Sequence, residues 1–394
     1  MPSSSQTCFR TTPKPSRKIT EKAAQAMPLP IIDPARYEDE LAAKLARYRA
    51  DFAEFDLPAP QVFRSAPLHF RLRAEFRLWH HDGRIDYAMF DSADPKQPIL
   101  LETFPAAAAP IANLMPRLRD ALQASEPLRR KIFQVDFLAT LSGECLVSLI
   151  YHRPLDEAWE AAAHALAADL GIQLIGRSRK QKIVLGRDWV QEVLEVDGQR
   201  LRYQQFEGSF TQPNGEVNQH MLTWARTQAQ GLGGHAGDPG DLLELYCGNG
   251  NFTLALAPLF GRVLATEMSK SSVQAAHTNL ADNNVANVTL VRMASEEISD
   301  ALAGGREYRR MAGVDLASYR FTTLFVDPPR AGLDEGTIAL AKGFDNILYI
   351  SCNPETLRAN VAALAATHRI AAAAAFDQFP YTHHLECGLL LQKR

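Results

Sequence analysis

A thiol stands between a strand pattern and a helix start at Ser351-Cys352-Asn353-Pro354-Glu355-Thr356. The run before it, Asn346-Ile347-Leu348-Tyr349-Ile350, is β-rich. Asn353 reads as an N-cap and Pro354 as the first helical residue, where the missing N–H costs nothing. Cys352 then sits just outside a helix N-terminus, where the dipole favours an anion and lowers a thiol's pKa. That arrangement presents a nucleophile. A lone cysteine is also commonly a small buried hydrophobe. The chemical reading needs an electrophile, a base and a pocket wall from elsewhere in the chain.

From Asp241 onward short apolar strands alternate with helices, at 241–246, 262–266, 288–292, 321–326 and 346–350, with a further strand at 386–391. This rhythm predicts a doubly wound α/β domain whose ligand sits at the carboxyl ends of the strands. The first strand runs into Tyr246-Cys247-Gly248-Asn249-Gly250-Asn251-Phe252. Glycines there let the backbone approach a ligand, and the following helix offers free N–H groups. The next strand ends at Glu267, placed to accept hydrogen bonds from ribose hydroxyls. Gly248-x-Gly250 is present, but the third glycine of the dinucleotide fingerprint is replaced by Thr253. NAD is disfavoured, and a nucleoside without a pyrophosphate, such as S-adenosylmethionine, fits. A tight structural turn would use the same glycines. Asp327-Pro328-Pro329-Arg330 closes the fourth strand, and its two prolines make a rigid extended loop that holds Asp327 at the sheet's edge. A similar D-P-P sequence occurs in amino-group methyltransferases, where an aromatic residue follows. Arg330 stands here instead, which weakens N-methylation.

The first half reads as α+β. Strand-like runs at 68–79, 85–90, 143–151 and 182–185 alternate with helical runs at 107–124 and 155–170, after an opening helix at 34–55. His81-Asp82-Gly83 is a hairpin cue. Arg64, Arg71, Arg73, Arg77 and Arg84 are interleaved with Phe70, Phe76 and Trp79; Arg129-Arg130-Lys131 precedes Phe133, and Arg177-Ser178-Arg179-Lys180 follows later. Cations that neutralise phosphates beside rings that stack bases suit single-stranded RNA loops. An ordinary solvated strand face would look the same. The expected division is a disordered extension over 1–26, an amino-terminal α+β RNA-binding domain over 27–205 and an α/β domain over 206–394. Residues 231–240 read as a flexible connection within the last of these, and Met27 as an alternative start.

Net charge is only −3 over 394 residues, so any nucleic-acid surface is a local patch. Five scattered cysteines without a C-x-x-C pair argue against disulfides, zinc or an iron–sulfur cluster, and for a reducing cytoplasm. No apolar run approaches a membrane span, no secretory signal is evident, and no metal site or obligate protein partner is expected.

Gln212-Pro213-Asn214, the loop from Glu244 to Asn251, Asp327-Pro328-Pro329-Arg330, Ser351-Cys352-Asn353-Pro354 and Phe376-Asp377-Gln378-Phe379-Pro380 together resemble the RNA 5-methyluridine methyltransferases. The tract 206–391 is most similar to the bacterial tRNA (uracil-5-)-methyltransferase branch, with Pro380-Tyr381-Thr382-His383-His384-Leu385-Glu386-Cys387-Gly388 especially telling. Arg71-Leu72-Arg73-Ala74-Glu75-Phe76-Arg77 and Lys131-Ile132-Phe133-Gln134 extend the likeness forward. The resemblance implies a Rossmann-like class I methyltransferase domain acting on uracil C5 in the tRNA T loop, with S-adenosylmethionine as methyl donor. The tRNA-like domain of tmRNA is a further candidate substrate. It also implies Cys352 as nucleophile at uracil C6 and Glu386 as the base removing the C5 proton; apolar neighbours and His383-His384 are expected to raise the Glu386 pKa toward working pH. By the same likeness Gln212, Tyr246, Asn251, Glu267 and Asp327 line the cofactor site; Gly248 and Gly250, read from the loop sequence itself, shape its turn. Arg330 is a candidate for the enolate oxygen, Arg77 and Phe133 for RNA. His383 and His384 could equally be structural, as Glu386 could be a salt-bridged carboxylate. Ribosomal-RNA relatives with the same chemistry usually carry a cysteine-ligated cluster and often a front β-barrel; this chain has neither the cysteine cluster nor room for the barrel. A non-catalytic RNA-binding protein on the same scaffold need not keep Cys352, Glu386 and the cofactor loop. A nicotinamide oxidoreductase is disfavoured by Thr253.

Overall fold

The computed structural model describes residues 31–91, 94–232 and 239–394. The extension expected over 1–26, Met27 and residues 233–238 of the glycine-rich connection lie outside the described residues. A 3-10 turn, Pro34–Arg36, leads into helix α1 (Tyr37–Asp51) and strand β1 (Gln61–Phe63). The front half then contributes β2 (Arg73–His81), β3 (Arg84–Phe90), β4 (Pro98–Leu101), α2 (Ala109–Ala124), α3 (Glu126–Arg129), β5 (Ile132–Ala139), β6 (Cys145–Tyr151), α4 (Glu157–Leu170), β7 (Gln173–Ser178) and β8 (Gln181–Leu185). These strands form one sheet in the order β4-β3-β2-β5-β6-β7-β8, antiparallel except for β6 and β7. The β2–β3 turn places Asp82 and Gly83 at φ 46° and 75°, the left-handed pair that a tight hairpin requires. One face packs on α2 and α4 through Tyr87, Met115, Phe137 and Trp159. The other is open.

Strand β5 was not visible in the sequence. A register shift between Ile132 and Gln134 breaks the alternation of buried and exposed side chains that a strand otherwise shows.

A hairpin, β9 (Trp189–Val196) and β10 (Gln199–Phe206), connects to the rear half. There follow α5 (Gly215–Ala229), β11 (Asp241–Leu245), α6 (Asn251–Leu256), β12 (Arg262–Thr266), α7 (Lys270–Asp282), β13 (Val288–Val291), α8 (Ser295–Leu302), β14 (Phe321–Val326), α9 (Glu335–Ala341), β15 (Asn346–Ser351), α10 (Pro354–Leu364), β16 (His368–Phe376) and β17 (Glu386–Lys393). The eight-stranded sheet runs β1-β16-β17-β15-β14-β11-β12-β13. Its five central and outer strands β11 to β15 are parallel, and β17 is antiparallel to both neighbours. Leu243 and Leu245 face α8, α9 and α10, whereas Leu242 faces α5 and α6, so the sheet is covered on both sides. Strand β16 escaped notice because His368-Arg369-Ile370-Ala371-Ala372-Ala373-Ala374-Ala375 reads as helix by propensity. Small side chains are what this position needs. The Trp224 ring of α5 lies so near that a Cβ built on Gly388 of the adjacent strand would meet it at 2.7 Å.

The expected front unit of 27–205 divides in its packing. Tyr37, Leu41, Leu45 and Tyr48 of α1 join the core of the rear sheet, and β1 pairs with β16 as its edge strand. Likewise Leu194, Val196, Leu201 and Tyr203 of the hairpin pack with Met221 and Phe252. Helical periodicity shows that α1 has a buried face but not which sheet receives it. Lys44 of α1 fixes the docking: its Nζ donates to Asp377 Oδ1 at 2.6 Å and to the Phe379 carbonyl at 2.8 Å, with both charged side chains buried. Lys44→Ala leaves the Asp377 carboxylate buried without its cation. The expected loss is about 3–5 kcal/mol, read as a lowered urea midpoint at constant m-value. A loss below about 1 kcal/mol would show that the pair does not hold α1.

Candidate active site

Strand β15 ends at Ser351 and α10 starts at Pro354, leaving Cys352 in the turn between them. Asn353 caps the helix, its side chain accepting the Glu355 N–H at 3.1 Å, and its own N–H donates to Ser351 Oγ at 3.2 Å. The antiparallel register pairs Ser351 with Cys387, so one step on Cys352 faces Glu386, the first residue of β17. Asp327 follows directly on β14, beside β15. Arg330 gathers these loops. Its carbonyl accepts from Asn353 Nδ2 at 3.0 Å and Thr356 Oγ1 at 3.2 Å, and its guanidinium donates to His384 Nε2 at 3.2 Å.

The electrostatics invert one expectation. Cys352 is pushed up to about 11, by burial first and then by the Glu386 and Asp327 carboxylates, with Arg330 opposing. The helix dipole acts only at its terminus, whereas burial and two acids act on the sulfur directly. Burial also holds Glu386 well above the usual carboxylate range, with Asp327 adding and Arg330 opposing, and raises Asp327 in turn. Two buried carboxyls, one raising the other, hold protons near neutrality. The histidines do not supply that effect: His384 is itself pushed down to about 4 by burial, His383, Arg330 and Lys44. A neutral imidazole is what accepts the Arg330 N–H.

These values set a pH dependence for the free protein. The thiolate fraction below a pKa of about 11 grows tenfold per pH unit. Carboxamidomethylation of Cys352 by iodoacetamide, followed on its own peptide by mass spectrometry, should therefore climb about tenfold per unit from pH 7 to about 10. A plateau near pH 8 would mean that the dipole prevails over burial after all.

Cys352, Arg330, His383 and His384 line a cavity of about 230 Å3 together with Arg47 and Asp51 of α1. Those two were missed because α1 was assigned to the front half. A second cavity, about 400 Å3, opens past β11 and β12 between Tyr246, Glu267, Met268, Met293, Pro329 and Leu333. Pro329 lines one cavity and Arg330 the other, so the rigid Asp327–Arg330 loop is their common wall. Glu267 accepts the Gly248 N–H at 3.1 Å and the Ser269 N–H at 2.6 Å, which aims its carboxylate. Tyr246 holds φ 61°, a strained geometry costing on the order of 1–3 kcal/mol, and donates its hydroxyl to Ser295 Oγ at 2.8 Å. Gly248 and Gly250 turn the loop at φ 56° and 85°. Gln212 and Asn251 do not line this cavity: Gln212 accepts from Gln378 Nε2 at 2.8 Å, and Asn251 exchanges hydrogen bonds with Asn218 on α5. The size, the carboxylate for ribose hydroxyls and the two methionines fit a nucleoside.

On the open face of the front sheet Arg77 and Phe133 come together. The Arg77 guanidinium carbon lies 5.5 Å from the Phe133 ring and 5.2 Å from Phe90, and Phe133 stacks on His152 at 4.2 Å. Phe90 and His152 escaped notice because only strand register brings them there. Other basic residues are already engaged: Arg177 with Glu207, Arg130 with Glu126 and Asp156, and Arg64 with Glu38.

Among solved structures, the Pyrococcus abyssi tRNA (uracil-54, C5)-methyltransferase, solved in complex with S-adenosyl-L-homocysteine, superposes with a TM-score of 0.67 at 18% identity. The match covers 90% of this chain and 83% of that one. The fold is that of a Rossmann-like methyltransferase. The sequence model of the tRNA (Uracil-5-)-methyltransferase family matches residues 36–394. The tRNA/tmRNA (uracil-C(5))-methyltransferases of Azoarcus sp. and Aromatoleum aromaticum are 73% and 68% identical to it, each over 93% of this chain and 99% and 98% of their own lengths. The chain belongs to the tRNA (uracil-5-)-methyltransferase family.

Proposed function

We propose that this enzyme makes 5-methyluridine at position 54 of the tRNA T loop, and in the tRNA-like domain of tmRNA, through a covalent adduct on Cys352. The names of its relatives and of its structural neighbour support those substrates. What carries the mechanism is the placement of Cys352 opposite Glu386, one rigid wall away from the nucleoside cavity.

Uracil C5 is a poor nucleophile until C6 is attacked. Cys352 gives up its proton to water, its sulfur bonds to C6, and the C5–C6 electron pair becomes an enolate delocalised toward O4. Arg330, at the same cavity, stabilises that developing oxyanion. Tyr246 and Glu267 would hold S-adenosylmethionine, which would supply an electrophilic methyl group: its sulfonium–methyl bond breaks as the C5–methyl bond forms, leaving S-adenosylhomocysteine. Gln212, Asn251 and Asp327 hold the surrounding loops for that ligand, with Gly248 and Gly250 giving the backbone turn. Glu386, as carboxylate, then removes the C5 proton. The C5–C6 double bond reforms and the C6–S bond breaks, returning the thiolate.

The base must leave its stack to reach Cys352, at a cost of a few kcal/mol. Arg77 and Phe133, with Phe90 and His152, offset that cost by holding the opened loop, since stacking contributes about 1–3 kcal/mol per base. Phe133→Ala should weaken binding of a T-arm hairpin roughly 5- to 100-fold while S-adenosylmethionine binding stays as it was; equal hairpin affinity would remove Phe133 from the interface. The reading as a whole is tested by methyl-labelled S-adenosylmethionine with unmodified T-arm hairpin, the same hairpin with cytidine at the target, and ribosomal-RNA fragments. Labelled 5-methyluridine should arise from the first alone. Label in ribosomal fragments and none in the hairpin would overturn it.

A further inference from the structure

A third cavity, about 410 Å3, lies where the front sheet meets the loop that leads to Glu386. Arg71 and Arg73 enter it from the start of β2, Phe104 and Met89 from the same half, and Phe379 and Thr382 from the rear half. The mechanism above makes no use of it. Its volume lies in the range of small-molecule sites, and its lining combines rings, two guanidinium groups and the Glu75 carboxylate.

Arg71 is the notable cation. Its backbone is fixed on both sides: the N–H donates to the Ala106 carbonyl at 2.8 Å, and its carbonyl accepts from Ala108 N–H at 2.7 Å. Its side chain makes one hydrogen bond, from Nε to the Arg73 carbonyl at 2.8 Å, and forms no ion pair among the described residues. Burial works against its charge and Arg73 adds to that, while Glu75 favours it. Glu75 is already held by Arg73 at 3.3 Å. A half-buried guanidinium without a counter-ion is matched to an anion that arrives from outside. Beside it, the Phe104 and Phe379 rings are each half-buried and so partly open to a flat partner.

The position relative to the thiol decides what that partner is. Thr382 lines this cavity, and the next two residues, His383 and His384, line the Cys352 cavity. The loop between them is stiff. Lys44 and Thr382 both donate to the Phe379 carbonyl at 2.8 Å, and the Tyr381 hydroxyl donates to the Pro67 carbonyl at 2.8 Å. Two cavities thus flank one short rigid loop, one holding the nucleophile and the other holding rings and an unpaired cation.

We propose that the junction cavity is a second nucleotide site: it takes an unstacked nucleotide of the same RNA strand, its base between Phe104 and Phe379 and a phosphate on Arg71, while the target uridine occupies the Cys352 cavity. This rests on the uridine methyltransferase reading, and it adds a second anchor that specifies the loop around the target.

The test uses the full-length protein and a set of T-arm hairpins, each with one abasic nucleotide at a single loop position other than the target. Wild type should lose about tenfold in affinity at one position near the target, in keeping with a lost stacking contact. Phe379→Ala should lose a similar factor on the intact hairpin and nothing more when that same position is abasic. Arg71→Met should lessen the slope of log K against log salt by about 0.7, the share of one single-strand phosphate contact. S-adenosylmethionine binding by each variant confirms folding, with Arg71→Gln replacing Arg71→Met if the latter fails it. If every abasic hairpin weakens Phe379→Ala by the same factor as wild type, the site does not hold a base and the proposal falls. Methylation of the intact hairpin by wild type, measured alongside, separates that failure from failure of the underlying reading.

Discussion

With a T-arm hairpin carrying 5-fluorouridine at the target, the wild-type enzyme and S-adenosylmethionine should accumulate a protein–RNA adduct that survives denaturing electrophoresis, and Cys352→Ala should form none. Fluorine at C5 cannot be abstracted as a proton, so the sequence of steps halts after methyl transfer with sulfur still bonded to C6. On natural RNA the same variant should lose on the order of 10⁴-fold or more in turnover, because no other group in the 230 Å3 cavity can activate C5. Cys145, Cys247 and Cys387 are buried and cannot substitute. An adduct persisting in Cys352→Ala would end the covalent mechanism proposed for this thiol.

Glu386→Gln should do the opposite on unmodified RNA: turnover falls roughly 10²- to 10⁴-fold, and a methylated adduct becomes visible without any fluorine. Glutamine keeps the shape but cannot take the C5 proton, so elimination stalls. The sign of a second effect strengthens the test. Once ionised, Glu386 is among the groups that hold the Cys352 thiol up, so a neutral glutamine leaves the thiolate at least as accessible at every pH. Adduct formation should consequently proceed at least as fast as in wild type while release is slow. Free 5-methyluridine RNA released at the normal rate would assign proton removal to another group. Raising the pH should help wild type at both steps, since Cys352 and Glu386 each hold their protons above their usual ranges.

The parts of this site that were legible in the sequence are those encoded within a few residues. Strand, N-cap and proline around Cys352 gave its place in the turn, and the parallel strands β11 to β15 were placed within about two residues, the central β14 and β15 being buried along most of their length on both faces. What depends on distant partners was not legible. The sign of the Cys352 shift comes from burial and from Glu386 across the β15–β17 ladder, and no local pattern encodes that register. Glu386 was picked out by family resemblance alone; as a residue it is an acid at the start of an apolar strand. Arg47 and Asp51 line the thiol cavity because α1 crosses to the rear sheet, which its own periodicity cannot announce. In the front half, Arg77 and Phe133 were proposed from ring-and-cation composition, and strand register then supplied the two further rings.

The buried bond between Lys44 and Asp377 joins residues 333 positions apart, which has a consequence during synthesis. A ribosome adding about 5–20 residues per second needs roughly 17–67 seconds to travel from one partner to the other. Through that interval α1 has an apolar face and a lysine whose receiving strand does not yet exist, while the front sheet, contained between them, can already close. Chaperone dependence should be concentrated on that waiting helix.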